Sequence, residues 1–234
     1  MGATGYEAIE RDSVVFMFAD LRDFTSFTLQ YGDEAAFRLV KRFYSVVRSR
    51  ALGSGGTEWK REGDRILFTF AAADDAVVAA LSVQDEVASY NQSNPDTPIQ
   101  LGIGIDAGEP IAMEGDYIGT TVNRTARITT IAKRGQVLVT DSVCHLAQNI
   151  TSVRFLDRGR HKLKGFGESQ RLYEPVRCAE SHQKAALGPS LYLTRLRPLG
   201  AIAGVLRKVL ASRAAGGARR YLLRAGTISV PERW

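Results

Sequence analysis

Short apolar runs alternate with longer amphipathic segments along most of the chain. Residues 13–19 form a strand-length apolar run that ends at Asp20, and the apolar positions of residues 27–47 recur with a helical period. Thr25 precedes this periodicity, in a position that predicts a helix cap. The chain therefore begins with a strand, a loop and then helical structure.

A hairpin is predicted next. Residues 57–62 and 65–70 flank Gly63-Asp64, a turn-forming dipeptide, so Asp64 is expected at the tip between two strands. Residues 71–90 are rich in Ala and Val with helical spacing, and the Pro-containing stretch after them ends the helix.

The remaining elements follow the same logic. Strands are predicted over residues 99–105, 111–113, 136–140, 153–157 and 171–173. A helix is predicted over residues 119–132, with Asn123 and Arg127 one turn apart on one face, and a short one after Asp141. Because hairpins interrupt the alternation of strands and helices, the pattern predicts an α+β sandwich with helices over a mostly antiparallel sheet, rather than a doubly wound parallel fold. Gly102, Gly104 and Gly108 lie in and after a strand, which argues against a nucleotide-binding glycine motif.

Composition sets the limits of this picture. The 234 residues are 44% hydrophobic and 24% charged, which is typical of a globular chain. The longest apolar runs are far shorter than the roughly 18 to 20 residues of a membrane span, no secretory signal is visible, and the two cysteines predict neither a disulfide framework nor a zinc site. A cytoplasmic location is expected.

The formal charge of +6 is unevenly distributed. Residues 1–178 hold 21 Lys and Arg against 23 Asp and Glu (−2), whereas residues 179–234 hold 10 against 2 (+8). This division disfavours nucleic-acid binding by the main domain. It predicts a lead-in over residues 1–12, a folded domain over 13–177 and a basic tail over 178–234. The tail is partly amphipathic and could bind a membrane surface peripherally, dock on a partner protein or be partly disordered.

Four segments together resemble a known family. FADLRDFT (18–25) and KREGD (60–64) resemble the two metal-binding segments of class III nucleotidyl cyclases. DYIGTTVNRTAR (116–127) resembles the catalytic helix of that family, and HKLKGFG (161–167) resembles its terminal strand pair. The resemblance covers residues 14–174 and implies a ferredoxin-like core with additional strands.

The resemblance implies a two-metal centre. Asp20 and Asp64, with the backbone carbonyl of Leu21, would hold two divalent cations, Mg²⁺ or Mn²⁺. Carboxylates are hard oxygen ligands that suit such ions, which can activate a hydroxyl and neutralise a leaving pyrophosphate. Asp23 and Arg65 depart from the usual family pattern. Asp23 would add a carboxylate near the metals, and Arg65 could pair with Glu62 or Asp23.

Other positions match substrate-binding residues of the family. Asn123 would orient the ribose and Arg127 would stabilise charge on the α-phosphate. Phe24 and Thr25 would offer backbone N–H groups to phosphate oxygens, although a capping role for Thr25 fits equally. Lys164 would meet the terminal phosphates, with a solvated turn residue as the alternative.

Lys60 and Asp116 would select the base. Adenine offers an acceptor at N1 and a donor amine at C6, which an ammonium and a carboxylate satisfy; guanine reverses the pattern. The pair therefore favours ATP, unless both are ordinary surface charges.

The family divides each active site between two chains, and this chain carries both sets of residues. The resemblance thus implies a homodimer with two composite sites that converts ATP to 3′,5′-cyclic AMP and pyrophosphate. The alternatives are a catalytically silent nucleotide-binding signalling module, a guanylyl cyclase and a palm-fold polymerase-like enzyme.

Overall fold

The computed structural model describes residues 12–178. Within this span the strands are β1 (Val14–Leu21), β2 (Thr57–Glu62), β3 (Arg65–Phe70), β4 (Leu101–Gly108), β5 (Ile111–Met113), β6 (Asp116–Ile118), β7 (Val137–Thr140), β8 (Val153–His161) and β9 (Gln170–Arg177). The helices are α1 (Phe24–Tyr31), α2 (Asp33–Gly53), α3 (Ala73–Ser93), α4 (Thr120–Ile131) and α5 (Asp141–Leu146). All but the first residue of the predicted basic tail, and all but the last residue of the predicted lead-in, lie outside the described residues.

Seven strands form one sheet in the order β2-β3-β1-β4-β7-β9-β8. All neighbours in it are antiparallel except β4 and β7. The first four strands and their crossover helices form the ferredoxin-like arrangement, and β7, β9 and β8 extend it, whereas β5 and β6 form a separate ribbon. The predicted α+β fold with a mostly antiparallel sheet and additional strands is confirmed.

The alternation of side chains in β1 assigns the two faces of the sheet. One face packs against α2 and α3 and forms the main core, to which β1 contributes Val15, Met17, Ala19 and Leu21. The opposite face carries Phe16 and Phe18, which pack with Leu67 and with the partly buried Trp59 and Tyr117. Asp20 alternates with these phenylalanines, so its side chain belongs to this second face.

Helix α4 covers part of the second face by lying directly on β4. Three residues of β4 on that side are glycines, Gly102, Gly104 and Gly108, as their even spacing along the strand and the close approach of α4 indicate. A Cβ at Gly104 would stand 2.6 Å from the backbone nitrogen of Thr129. These glycines do lie in a strand, as expected, and their role is to admit the helix.

Gly104→Ala is expected to destabilise the fold by about 1 to 3 kcal/mol, because the new methyl group meets helix backbone that has no room to yield. Urea unfolding followed by circular dichroism measures the effect. Gly167→Ala is the matched control, since no atom lies within 4 Å of its added Cβ, and we expect a change within about 0.5 kcal/mol. Equal stability of the two variants would contradict the close packing of α4 on β4.

The predicted helical region after β1 is present as two helices. Gly32, whose φ of 81° interrupts the backbone, separates α1 from α2. The predicted capping role of Thr25 is wrong: Asp23, with a left-handed φ of 58°, occupies the N-cap position, and Thr25 is the second residue of α1. Asp23 makes no side-chain cap because its carboxylate pairs with Arg134 at 2.5 Å.

None of the helices between residues 12 and 178 combines the length and the hydropathy needed to cross a bilayer.

Candidate active site

Asp20 lies near the end of β1, and Asp64 lies in the turn between β2 and β3, where the sequence predicts it. The N–H of Leu21 donates to the carbonyl oxygen of Asp64 at 3.0 Å and thereby joins the strand end to the turn. The Tyr44 hydroxyl of α2 donates to the carbonyl of Gly63 and supports the same turn. Burial raises the pKa of Asp64, and the neighbouring charge of Asp20 raises it further. The two carboxylates are therefore close enough to interact.

Two arginines hold the carboxylate of Asp20, whose side chain is only 13% exposed. Arg22 places Nη1 2.7 Å from Oδ2, and Arg65 places Nε 3.3 Å from Oδ1. The Arg65 contact is an ion pair without hydrogen-bond alignment, so its buried Nε has no hydrogen-bond partner within the described part of the chain.

The expectation that Arg65 would pair with Glu62 or Asp23 is wrong. The antiparallel register of β1 and β3 sets Arg65 directly opposite Asp20, and Asp23 turns away toward Arg134. Asp23 thus adds no unpaired negative charge beside Asp20 and Asp64.

Arg22 is a site residue that the sequence interpretation missed. Besides Asp20, it donates from Nε to the carbonyl of Ala132 at 2.9 Å and from Nη2 to the carbonyl of Thr129. It therefore joins the predicted metal carboxylate to the end of α4. Its position two residues after Asp20 was the available signal.

The oxygen atoms around the end of β1 are suitable ligands for divalent cations. Asp20 and Asp64 supply two carboxylates, and the strand end next to them supplies backbone carbonyls such as that of Leu21, which are the oxygen ligands that Mg²⁺ and Mn²⁺ prefer. Among residues 12–178 no group of three or more His, Cys, Asp or Glu side chains is arranged to hold a metal. A cation at this site would therefore need both carboxylates as ligands. Its remaining coordination positions would be free for substrate oxygens.

Lys60 and Asp116 meet on the second face of the sheet. The Nζ of Lys60 lies 2.9 Å from Oδ1 of Asp116 and 4.3 Å from the centre of the Trp59 ring. The hydrogen bond from Lys60 holds the pKa of Asp116 below its usual range, and the N–H of Tyr117, 2.8 Å from Oδ1, contributes. The cation and the anion are thus oriented side by side over an aromatic cluster.

Asn123 and Arg127 lie on the exposed side of α4, one turn apart as predicted. Neither side chain makes a hydrogen bond or an ion pair within residues 12–178. Lys164 is also exposed, in the loop between β8 and β9, where the neighbouring Leu163 is 1% exposed and packs in one cluster with Ile128 of α4. This packing fixes the loop of Lys164 against the helix that carries Arg127.

Phe24 and Thr25 form the first turn of α1, next to the end of β1. The first intrahelical backbone bond runs from the N–H of Phe27 to the carbonyl of Asp23 at 2.9 Å. The backbone N–H groups of Phe24 and Thr25 precede it and have no intrahelical acceptor.

A buried ion pair under α4 was also missed. Arg124 places Nε 2.6 Å from Oδ2 of Asp106 and Nη2 3.1 Å from Oδ1, and Asp106 is completely buried in β4. Asp106 is the one carboxylate in a strand of otherwise apolar residues and glycines. That pattern was the signal that could have identified the pair.

Apart from Lys164 in the loop between β8 and β9, the predicted site residues fall into two groups. Asp20, Leu21 and Asp64, with Phe24 and Thr25, lie around the end of β1. The other group lies along β2, β6 and α4 and comprises Lys60, Asp116, Asn123 and Arg127. No hydrogen bond or ion pair within residues 12–178 joins Lys60 or Asp116 to Asp20 or Asp64.

Comparisons with known proteins identify the family of the chain. Residues 6–174 match the model of the adenylate and guanylate cyclase catalytic domain. An adenylate cyclase of Streptomyces coelicolor is 36% identical over 125 residues, which are 52% of this chain and 31% of that relative. The chain therefore spans only about a third of the relative's length.

Solved cyclase domains share the fold. The adenylyl cyclase CyaB from P. aeruginosa superimposes with a TM-score of 0.63 at 22% identity, over 72% of this chain and 96% of that one. The guanylyl cyclase Cya2 superimposes with a TM-score of 0.64 at 24% identity, over 73% and 95%. The fold is thus shared by cyclases that differ in base specificity. From the family match and the fold together, the chain belongs to the class III adenylate and guanylate cyclase catalytic domain family.

Proposed function

We propose that the chain is an adenylate cyclase that converts ATP to 3′,5′-cyclic AMP and pyrophosphate at two composite sites of a homodimer. The observation that carries the proposal is the pairing of Lys60 with Asp116 at 2.9 Å in a domain that also brings Asp20 and Asp64 together. One pair supplies an adenine-selective donor and acceptor, and the other supplies ligands for the cations of phosphate chemistry.

In this proposal Asp20, Asp64 and the carbonyl of Leu21 hold two Mg²⁺ or Mn²⁺ ions. When bound, such ions lower the pKa of the attacking 3′-hydroxyl and neutralise charge on the leaving pyrophosphate. The first backbone N–H groups of α1, at Phe24 and Thr25, point toward the same strand end and would bind phosphate oxygens.

Asn123 and Arg127 act from the other chain. Asn123 orients the ribose so that the 3′-oxygen stands in line with the leaving group. Arg127 donates to the oxygens of the α-phosphate, where negative charge grows in the transition state, and Lys164 meets the terminal phosphates. Asn123 and Arg127 are exposed and make no side-chain hydrogen bond or ion pair within residues 12–178, which suits side chains that act on a nucleotide held by a second copy.

Adenine selection follows from the direction of hydrogen bonding. N1 and the C6 amine are neighbours on one edge of the ring, and Lys60 and Asp116 are neighbours in the site. Lys60 donates to N1, and Asp116 accepts from the amine. Guanine would place its N1–H donor against the Lys60 ammonium and its O6 acceptor against the Asp116 carboxylate, so that neither group would have a hydrogen-bond partner on the base.

The double variant Lys60→Glu/Asp116→Lys is expected to shift the ratio of kcat/KM for ATP to that for GTP by about 10²-fold toward GTP. The exchange keeps an ion pair in place while reversing donor and acceptor. Lys41→Glu, a charge reversal at an exposed position of α2, is the matched control and should leave the ratio unchanged. An unchanged ratio in the double variant would remove Lys60 and Asp116 from base recognition.

The activity itself is tested by incubating the purified chain with ATP or GTP and Mn²⁺ or Mg²⁺, and identifying products by mass spectrometry. Cyclic AMP and pyrophosphate in equal amounts are expected from ATP. Predominant cyclic GMP would identify a guanylyl cyclase instead.

A catalytically silent nucleotide-binding module is the second candidate. The observation in its favour is that Arg22 and Arg65 already neutralise Asp20. Saturable ATP binding by calorimetry without any cyclic product at micromolar protein would support this candidate and overturn the first.

A further inference from the structure

The buried pair of Arg124 and Asp106 lies directly beneath the proposed catalytic residues of α4. Arg124 follows Asn123 and precedes Arg127 by three positions, but its side chain points to the sheet and is only 20% exposed. Two N–H groups of its guanidinium reach the two oxygens of one carboxylate. Such a bidentate contact restricts both the position and the orientation of the two groups.

The carboxylate of Asp106 is held from three elements. Thr140 of β7 donates its hydroxyl to Oδ1 at 2.8 Å, the N–H of Ala107 in β4 donates at 2.9 Å, and Arg124 of α4 supplies the charge. Burial raises the pKa of Asp106, and the hydrogen bond and charge of Arg124 oppose that rise. A buried carboxylate whose hydrogen bonds are all made in this way allows only one arrangement of its partners.

The three glycines of β4 that face α4 present no side chains to the helix. Arg22 bonds to two carbonyls at the C-terminal end of α4, whereas Arg124 joins the N-terminal half of the helix to Asp106, the one side chain in this row of β4. The Arg124–Asp106 pair therefore limits how far the part of α4 that carries Asn123 can be displaced along the strand.

We propose that the Arg124–Asp106 pair fixes the register of α4 on the sheet and thereby positions Asn123 and Arg127 against the nucleotide. The pair is a positioning device, not a catalytic one, because neither group is exposed on the face that carries Asn123 and Arg127. The proposal rests on the cyclase activity proposed above.

Arg124→Met tests it by removing the contact while retaining the length of the side chain. We expect kcat for cyclic AMP formation to fall by about 10²-fold, the scale on which small misplacements affect catalysis, while KM for ATP changes less than about 3-fold, because Asp20, Asp64 and Lys60 are untouched. Arg124→Lys keeps the charge and should recover part of kcat. Arg158→Met, which removes an ion pair of 2.7 Å with Glu174 on the sheet edge, is the control and should leave kcat unchanged.

The double variant Arg124→Met/Asp106→Asn distinguishes positioning of Asn123 and Arg127 from a purely structural role, because it leaves no unpaired buried charge. Its Tm should recover relative to Arg124→Met, but kcat should stay low. Recovery of kcat together with Tm would overturn the proposal, as would folded single variants with unchanged kcat. If neither methionine-containing variant folds, Arg124→Lys decides: wild-type kcat would overturn the proposal, and reduced kcat with unchanged KM would support it.

Failure of the cyclase proposal itself would give a different result, because the wild-type chain would then form no cyclic nucleotide.

Discussion

Asp20→Ala is expected to lower the kcat for cyclic AMP formation by about 10³-fold or more, with Mn²⁺ as with Mg²⁺. The variant removes one of the two carboxylates on which the proposed cation binding depends, and no group of three or more metal-ligating side chains is arranged within residues 12–178. Initial rates of product formation under saturating ATP provide the measurement, and Asp64→Ala should give a loss of the same order.

Asp23→Asn is the matched control for this loss. Asp23 lies three residues from Asp20 but pairs with Arg134, and asparagine tolerates the left-handed backbone at this position. We expect activity within about 3-fold of wild type, a change too small to reflect loss of a ligand. A loss comparable to that of Asp20→Ala would show that the effect comes from negative charge in the region rather than from cation binding.

Mixing Asp20→Ala chains with Arg127→Ala chains is expected to restore activity that neither variant has alone. In a mixed dimer one composite site loses both residues and the other keeps both. Random exchange makes about half of the dimers mixed, so about a quarter of wild-type activity should return in a two-fold symmetric assembly.

A control mixture and differently tagged chains complete the test for shared sites. The control mixes the doubly substituted chain Asp20→Ala/Arg127→Ala with wild-type chains in the same proportion. This mixture contains the same number of substitutions, but each of its mixed dimers has two inactive sites. With shared sites only the wild-type homodimers of this control stay fully active, so both mixtures should show about a quarter of wild-type activity. If each site lay within one chain, the first mixture would stay inactive and the control would keep about half of wild-type activity. Absence of restoration, with mixed dimers verified by differently tagged chains, would place Asp20 and Arg127 of one chain in the same site.

Local pattern predicted the elements around the site well. The hairpin that carries Asp64 was predicted with its bounds because Gly63 marks the turn between two strand-length segments, and the helix with Asn123 and Arg127 on one face was predicted because its period is unambiguous. The error at Thr25 has a local cause: a helix start depends on backbone angles, and Asp23 adopts a left-handed conformation that side-chain preference alone does not indicate.

Long-range pairing could not be predicted in the same way. The partner of Arg65 depends on the register of β1 and β3, and the partner of Arg124 depends on which residue of β4 lies beneath α4. Charges of both signs are common along the chain, so sequence offered several partners for each arginine. Only the packed sheet selects Asp20 and Asp106.

The glycine row of β4 has a mechanical effect on the site. Helices usually rest on a layer of side chains that can change rotamer and allow small tilts, but α4 meets strand backbone at Gly104 with no such layer. Close contact at Gly104 therefore opposes tilting of α4 toward the sheet, and the Arg124–Asp106 pair opposes its sliding along the strand. In a dimer with shared sites, rotation of a whole protomer would then move the backbone of Arg127 toward or away from a nucleotide on the other chain.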